Sequence, residues 1–260
     1  MINFLRISVL LVFGFHSAGF AQKPYDISRG DETILLSSGV SLSLLAFVMD
    51  SKVQPLTKNE IYNLNRNEIN WFDRSASFNY SSGSITASDI LLSVTAATPL
   101  LLYLSPAVRK DAAEYTFMLA EVMMFTYSFT HIVKGSVRRI RPYAYNVDAP
   151  EDLKMNEDTR KSFFSGHASI SFASAMFVSE TFAAYNPDSE YKGSVRAGAL
   201  LLAAATSYLR YSAGKHFPTD ILTGAIVGSA IGYCIPLLHK SDSGSQVSFG
   251  PYMFGVTVPL

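Results

Sequence analysis

The stretch ILTGAIVGSAIGYCIPLL, residues 221–238, contains no charged side chain. A membrane-spanning helix needs about 20 mostly apolar residues, with about 17 as the lower limit, so this stretch can cross a bilayer. Residues 90–108 are also free of charged side chains. These two runs favour helices embedded in a membrane, and a soluble bundle of unusually apolar helices is the alternative.

Further apolar stretches continue this pattern along the chain. They are rich in Leu, Ala, Met and Phe and are long enough for helices rather than strands. They lie at residues 33–49, 115–133, 168–185 and 197–209. Two of them contain a carboxylate, Glu121 and Glu180, which should face the bundle interior because a charge at the bilayer centre is costly. The sequence therefore predicts an all-α fold, a membrane-embedded bundle of about six core helices.

The composition narrows the classes of function. Lys plus Arg equals Asp plus Glu, at 21 each, so the formal net charge is zero, whereas a nucleic-acid-binding protein usually shows a basic excess. Charged residues make up 16% of the chain, against about 25% in typical soluble domains. The composition therefore favours a membrane protein and argues against a nucleic-acid partner.

The N-terminal residues have the order of a secretory signal peptide. One cation, Arg6, precedes an apolar run, and small residues at Gly19 and Ala21 precede Gln22. This order is typical of a leader that is cleaved after export. We predict a signal peptide over residues 1–21, and an uncleaved first membrane helix is the alternative.

The first polar motif, HIVKGSVRRIRPYAY, follows the apolar stretch that ends near residue 133. Lys134 and Arg141 are seven residues apart, about two helical turns, so the spacing predicts both on one helix face with Arg138 beside them. Pro142 discourages continuation of the helix. The cations could clamp a polyanion, or they could be a basic cluster flanking the membrane.

The second motif, SGH, opens the apolar stretch at 168–185. Ser165 can cap the helix, and Gly166 allows a ligand to approach the backbone closely. The free N–H groups of a helix N-terminus bind anions, and His167 in the first turn could exchange a proton there. The alternative is an ordinary helix cap with an incidental histidine.

The third motif, YLRYSAGKHFPTDILTG, residues 208–224, lies between two apolar stretches. Arg210 ends one predicted helix, and Pro218 and Asp220 are typical of the start of the next. The Asp220 carboxylate could accept an N–H from the His216 imidazole and so direct the other ring nitrogen at a substrate. The alternative is a solvated loop between helices.

These three motifs can meet at one end of the bundle, because each intervening pair of crossings returns the chain to the same side. In order, K-x6-R-P, S-G-H and R-x5-H-x3-D resemble the type 2 phosphatidic acid phosphatase family, which shares its site with vanadium haloperoxidases and bacterial acid phosphatases. The resemblance spans roughly residues 88–240. Two positions depart from the family pattern: Phe164 stands where Pro is usual, and Leu209 where Ser is frequent.

This resemblance implies a metal-independent hydrolase. His216 would attack phosphorus and form a phosphohistidine, with Asp220 orienting its ring. His167 would protonate the leaving oxygen and then activate water. The groups implied to bind the phosphate oxygens are Lys134, Arg141, Ser165, Gly166 and Arg210. No metal or other cofactor is expected.

Several functions are compatible with these residues. The first is an enzyme that removes phosphate from a lipid phosphate or lipid diphosphate, with the membrane as its surroundings. The alternatives are a soluble periplasmic acid phosphatase and a haloperoxidase, in which vanadate would be the cofactor. From a different class, a membrane transporter or scaffold could use the same polar groups as intramembrane contacts.

The resemblance and the composition divide the chain into four predicted parts. Residues 1–21 are the signal peptide, and residues 22–87 hold an apolar segment and a polar surface excursion. Residues 88–240 form the catalytic core. Residues 241–260 are a tail broken by Gly and Pro and rich in β-formers.

The number of crossings before the site decides which side of the membrane it faces. With residue 22 exported, three crossings over 33–49, 90–108 and 115–133 would place the site in the cytoplasm. The serine-rich segment 33–49 is the weakest of the three, and we predict that it lies along the membrane surface. The site then faces the periplasm from the inner membrane of a bacterial envelope.

Overall fold

The computed structural model describes residues 23–27, 29–241, 246–250 and 253–257. The predicted signal peptide lies outside these residues. The α-helices of the described part are α1 (Arg29–Asp50), α2 (Lys58–Tyr62), α3 (Ser82–Ala97), α4 (Pro106–Lys110), α5 (Ala112–Val137), α6 (Glu151–Lys154), α7 (Gly166–Tyr185), α8 (Lys192–Ser212) and α9 (Pro218–Leu238). Short 3-10 helices cover Arg66–Glu68, Arg74–Phe78, Thr98–Leu104, Pro142–Tyr145 and Glu157–Arg160.

The predicted all-α bundle is confirmed, since α1, α3, α5, α7, α8 and α9 each contain one predicted apolar stretch. The stretch at 90–108 differs in detail, because it is not one straight helix. There α3 ends at Ala97, a 3-10 turn follows, and α4 begins at Pro106. Pro99 and Pro106 account for the breaks, since proline lacks the N–H that an α-helix requires. In the C-terminal tail, β1 (Gln246–Gly250) and β2 (Met253–Thr257) pair as an antiparallel hairpin.

Helix α1 runs along α5, from the far end of the bundle to the end where the three motifs meet. Its midpoint is joined to α5 by Ser43 and Ser128, whose hydroxyl oxygens are 2.8 Å apart. Its last residue, Asp50, is 3.0 Å from Nδ1 of His131 near the end of α5. The prediction that segment 33–49 lies along the membrane surface is therefore wrong, because the segment packs lengthwise in the bundle.

Within the described residues, four helical segments are long and apolar enough to cross a membrane. They are Glu32–Asp50, Ser82–Leu104, Ala112–Tyr145 and Pro218–Leu238. Many of their apolar side chains point away from the bundle, and Phe47 and Ile226 are 65% and 69% exposed. Apolar faces of this extent are unusual on soluble monomers. They fit helices surrounded by lipid, as predicted for a membrane-embedded bundle.

The hydrophobic core lies between α5 and α7, with aromatic residues at the end remote from the motifs. Tyr115 of α5 is fully buried, and its ring centroid is 5.2 Å from that of Phe177 in α7. The Tyr115 hydroxyl donates to the carbonyl of Pro99 at 2.8 Å. The buried hydroxyl is thus satisfied where the chain turns between α3 and α4.

Helices α7 and α9 approach each other along a line of glycines. A Cβ added at Gly228 or Gly232 would lie closer than 3.0 Å to the carbonyl oxygens of Ser169 and Ala173 in α7. Glycines spaced four residues apart share one helix face and permit this backbone contact. The close approach fixes the N-terminus of α9 beside the N-terminus of α7.

We expect Gly228→Ala to destabilise the bundle, because the added methyl group must push α7 away. Overpacking of this kind typically costs about 1–3 kcal/mol. Thermal unfolding of the protein in detergent measures the effect.

The matched control is Gly198→Ala on α8, where an added Cβ meets nothing within 4 Å. The thermal unfolding midpoint of Gly198→Ala should stay the same or rise, since Ala is more favourable than Gly in a helix by up to about 1 kcal/mol. Equal midpoints for the two variants would contradict the packing described for α7 and α9.

Candidate active site

His216 is 1% exposed and lies in the loop before α9. Its Nδ1 is 2.8 Å from the carbonyl oxygen of Ser162, and its Nε2 is 2.9 Å from Nη1 of Arg141. Because arginine only donates, Nε2 must accept, and the ring proton sits on Nδ1. Burial and the charges of Arg141 and Lys134 lower the pKa of His216 well below its ordinary value. The imidazole is therefore neutral, with a lone pair on Nε2.

Asp220 supports His216 differently from the sequence prediction. The closest approach of its Oδ2 to Nδ1 of His216 is 3.7 Å, beyond hydrogen-bond length. Oδ2 instead accepts from the Ser162 hydroxyl at 2.5 Å and from the Phe217 N–H at 2.9 Å, while Oδ1 accepts from Arg139 at 2.6 Å. The expected direct hydrogen bond to the imidazole is thus wrong, because the Ser162 carbonyl occupies that position. Asp220 therefore acts on His216 indirectly, by holding Ser162 and Phe217.

The polar excursion contributes to this network, which the sequence reasoning missed. Asp73 is fully buried and accepts from Arg139 Nη2 at 2.8 Å. It also accepts from the N–H and the hydroxyl of Thr219, at 3.0 and 2.7 Å. No motif marked Asp73 in the sequence. The segment treated as a surface excursion thus fixes the first turn of α9.

Lys134 and Arg141 converge on the site, although not along one helix face as predicted. Helix α5 ends at Val137, because Arg138 adopts a left-handed conformation with φ of 50°. The chain is then extended at Arg141, ahead of Pro142. Lys134 therefore reaches the site from the last helical turn and Arg141 from the following segment.

Asp158 and Lys215 are further charged groups that the sequence analysis did not identify. Arg141 Nη2 donates to Asp158 Oδ1 at 2.7 Å, and Lys215 Nζ is 3.5 Å from Oδ2. Burial would raise the pKa of Asp158, but the charges of Arg141 and Lys215 hold it well below its usual range. Burial and Arg141 lower the pKa of Lys215 to about 8. A single carboxylate thus tethers two cations at the site.

The S-G-H segment begins α7 as predicted. The Ser165 hydroxyl accepts from the N–H of Ala168 at 3.3 Å and caps the helix, and the Ser165 N–H donates to the Asp220 carbonyl at 3.0 Å. A Cβ on Gly166 would be 3.9 Å from Cε of Lys134. The N-terminus of α7 therefore lies directly beside the Lys134 side chain.

His167 and Arg210 share one carboxylate, that of Asp89 in α3. Oδ1 of Asp89 is 2.8 Å from His167 Nε2 and 3.1 Å from Arg210 Nη1. Arg210 Nη1 also donates to Ser88 Oγ at 3.0 Å. Burial and Arg210 lower the pKa of His167 to about 4, against partial opposition from Asp89. The only sequence signal for Asp89 was its position at the edge of an uncharged run.

The structure thus brings all eight predicted site residues to one end of the bundle. Four buried cations, two neutral imidazoles and a helix N-terminus form a site suited to a compact oxyanion with a nucleophile beside it. The cations are Lys134, Arg141, Arg210 and Lys215. Three of the carboxylates at this end have arginine partners; they are Asp89, Asp158 and Asp220. Their pairing is suited to holding cations in place.

The chain is similar to known proteins in two ways. A solved structure, the crystal structure of the first transmembrane PAP2 type phosphatidylglycerolphosphate phosphatase from Bacillus subtilis, is 19% identical, covers 77% of this chain and 94% of its own, and superposes with a TM-score of 0.45. The sequence model of the PAP2 superfamily matches residues 115–242, which contain the three motifs. The residues that hold the three motifs thus match the PAP2 superfamily.

Proposed function

We propose that the protein is a metal-independent lipid phosphate phosphatase that works through a phosphohistidine on His216, within a catalytic core over residues 88–240. The observation that carries the proposal is the Nε2 lone pair of His216, which is buried and 2.9 Å from Arg141. A neutral imidazole with a fixed tautomer beside an anion-binding group is prepared for nucleophilic attack. The match of residues 115–242 to the PAP2 superfamily supports a phosphatase at this level.

Substrate binding begins with an exchange of partners. In the structure, Arg141 donates to His216 Nε2, and Arg210 donates to Asp89. A phosphate group entering the site offers oxygens that accept from both guanidinium groups, and charge-assisted hydrogen bonds of this kind are among the strongest available. Arg141 then releases Nε2, so that binding uncovers the nucleophile.

The chemical step transfers the phosphoryl group. Nε2 of His216 attacks phosphorus, the N–P bond forms, and the bond from phosphorus to the leaving oxygen breaks. The imidazole becomes positively charged, and its Nδ1–H remains donated to the Ser162 carbonyl, 2.8 Å away. Lys134, Ser165 and the N-terminus of α7 stabilise the charge on the equatorial oxygens.

His167 carries the proton. In the free protein its pKa is about 4, lowered mainly by burial and by Arg210. A bound phosphate dianion offsets the arginine charges and raises this pKa, so the imidazole takes up a proton on binding. It donates that proton to the leaving oxygen, and then accepts one from the water that hydrolyses the phosphohistidine.

The surroundings of the site favour a lipid substrate over a water-soluble one. Helices α1 and α3 present exposed apolar side chains, including Val48 and Ile90 at 46% and 61% exposure, near the end that holds the site. A phosphate head group can enter the cationic site while its acyl or prenyl chain stays among these apolar faces. Release of phosphate from phosphatidate, phosphatidylglycerophosphate, a polyprenyl diphosphate and lipid A, assayed with EDTA present, tests the substrate class.

The side of the membrane depends on the crossings that precede the site. Helices α1, α3 and α5 precede Pro150. If all three cross the membrane, residue 22 and the site lie on opposite sides. An exported residue 22 is then incompatible with a site that faces the periplasm. A topology reporter fused after Pro150 distinguishes them, with a fusion after Asp188 at the opposite end as the control. A periplasmic signal after Pro150 shows that the leader is not exported ahead of α1.

We expect His216→Ala to lower turnover at least about 1000-fold, because the variant lacks the attacking atom. Phosphate release by the folded protein in detergent measures this loss. The control is His131→Ala, whose ring is 30% exposed and bonded to Asp50 rather than to the site. Full activity in His216→Ala would remove this residue from the mechanism.

We expect His167→Ala to impair poor leaving groups more than good ones. A phenolate that leaves unprotonated, such as 4-nitrophenolate, needs little help from a general acid, whereas an alkoxide needs a proton. Parallel assays with an aryl phosphate and an alkyl phosphate measure the difference. An equal loss for both substrates would reject the general-acid role.

We expect Asp89→Asn to lower kcat about tenfold or more, which is part of the roughly 100- to 10,000-fold effect of general-acid catalysis. The carboxylate favours protonated His167, so its loss lowers the pKa of the imidazole and moves the alkaline limb of the pH–kcat profile to lower pH. The exposed Asp188→Asn is the control. An unchanged pH profile would show that Asp89 does not act through His167.

A further inference from the structure

A second cluster of ionisable side chains lies at the opposite end of the bundle. Glu32 is in the first turn of α1, Glu121 is in α5, and His239 directly follows α9. Helix α9 begins beside the active site and has 21 residues, so His239 is about 30 Å from that site along the helix axis. The cluster is therefore separate from the phosphate chemistry.

The three side chains point at one another. His239 Nε2 is 2.6 Å from Glu32 Oε1 and 3.4 Å from Glu121 Oε2. One oxygen or nitrogen atom from each residue can be chosen so that all three lie within 4.8 Å of one another. This is the spacing of ligand atoms around a single metal ion, after small side-chain rotations.

Glu121 lacks the partners that a buried carboxylate needs. It is 0% exposed, and neither of its oxygens has a hydrogen-bond partner among the described residues. Oε2 of Glu32 is also buried without a hydrogen bond there. An unpaired buried carboxylate is costly, and more so in a helix that can span a membrane. A cation between the two carboxylates removes this cost.

The orientation of His239 is that of a metal ligand. Its Nδ1 is 2.8 Å from the carbonyl oxygen of Ile235, to which it donates. Metal-binding histidines commonly donate their second ring nitrogen to a carbonyl or carboxylate in this way, which fixes the tautomer. Nε2 then faces Oε1 of Glu32 at 2.6 Å, so a positive charge, carried by a proton or by a metal ion, must lie between these two atoms.

We propose that Glu32, Glu121 and His239 bind a divalent transition-metal ion of the zinc or manganese class. Two carboxylates and one imidazole are a donor set for such ions, and two negative charges balance the charge of the ion. The ion ties α1, α5 and α9 together at the end remote from the active site. It is a structural ion, and phosphate release does not depend on its chemistry.

Metal content and thermal stability test the proposal. The full-length protein is purified in detergent, dialysed against EDTA, and then titrated with Zn²⁺ or Mn²⁺ alone. We expect about one ion to rebind per chain, measured by inductively coupled plasma mass spectrometry. The ion should raise the unfolding midpoint by about 5 °C or more when it is present well above its dissociation constant.

Glu121→Gln is the informative variant, since it keeps the side-chain shape and removes one ligand charge. It should bind less than about one tenth of an equivalent and lose the shift in midpoint. The control is Glu180→Gln on α7, whose carboxylate pairs with Arg196 at 2.6 Å outside the cluster. This control should bind metal like the unaltered protein.

The metal titration of the unaltered protein tests the proposed site even if Glu121→Gln does not fold. An EDTA-treated, folded protein that binds neither ion and shows no shift in midpoint overturns the proposal; a proton shared within the cluster then accounts for its geometry. A Glu121→Gln protein that folds and still binds one ion overturns it as well.

Discussion

Backbone contact between α7 and α9 is the constraint on which the active site depends. Gly228 and Gly232 allow the two helices to approach closely, and this approach places the N-termini of both helices side by side. One N-terminus presents His167 and the other is preceded by His216, so two imidazoles from distant parts of the chain lie at one end of the bundle. Side chains larger than hydrogen at these glycines would separate the helices, and with them the proposed nucleophile and the proposed acid. The packing of two helices thus determines the spacing of two catalytic groups.

Charge balance governs the site once the helices are in place. Burying Lys134, Arg141, Arg210 and Lys215 near one another requires anions, and Asp89, Asp158 and Asp220 supply them in the free protein. Burial and the same cations lower the pKa values of both histidines, which keeps the imidazoles neutral in the free protein. In the proposed mechanism, a phosphate group replaces part of this internal compensation, so its binding also activates the histidines. The remote cluster of Glu32, Glu121 and His239 differs from the active site, because it contains buried negative charge in excess of positive charge.

Many of the helices and site residues could be predicted from the sequence, because they follow from patterns over a few neighbouring residues. Uncharged runs such as 221–238 predicted helices, and three motifs with fixed spacing predicted the residues at the helix ends. The direction of α1 could not be read this way, since its serines are satisfied by α5 and by its own backbone rather than by water. Asp73, Asp89 and Asp158 were also missed, because isolated aspartates have no pattern and gain their roles only from long-range contacts. The predicted bond between Asp220 and His216 failed because a backbone carbonyl, which has no sequence signature, takes that position.

The central claim is that the phosphoryl group passes through Nε2 of His216. Rapid quenching of the turning-over protein in alkali, followed by peptide mass spectrometry, tests it most directly, because phosphohistidine survives alkali. We expect a phosphoryl group on the peptide that contains His216. With an aryl phosphate, whose leaving group needs no proton, it should accumulate further when His167 is replaced by Ala, because hydrolysis is slowed while formation is not. A protein that turns over substrate at full rate without any phosphorylated His216, or with the phosphoryl group on another residue, would contradict it.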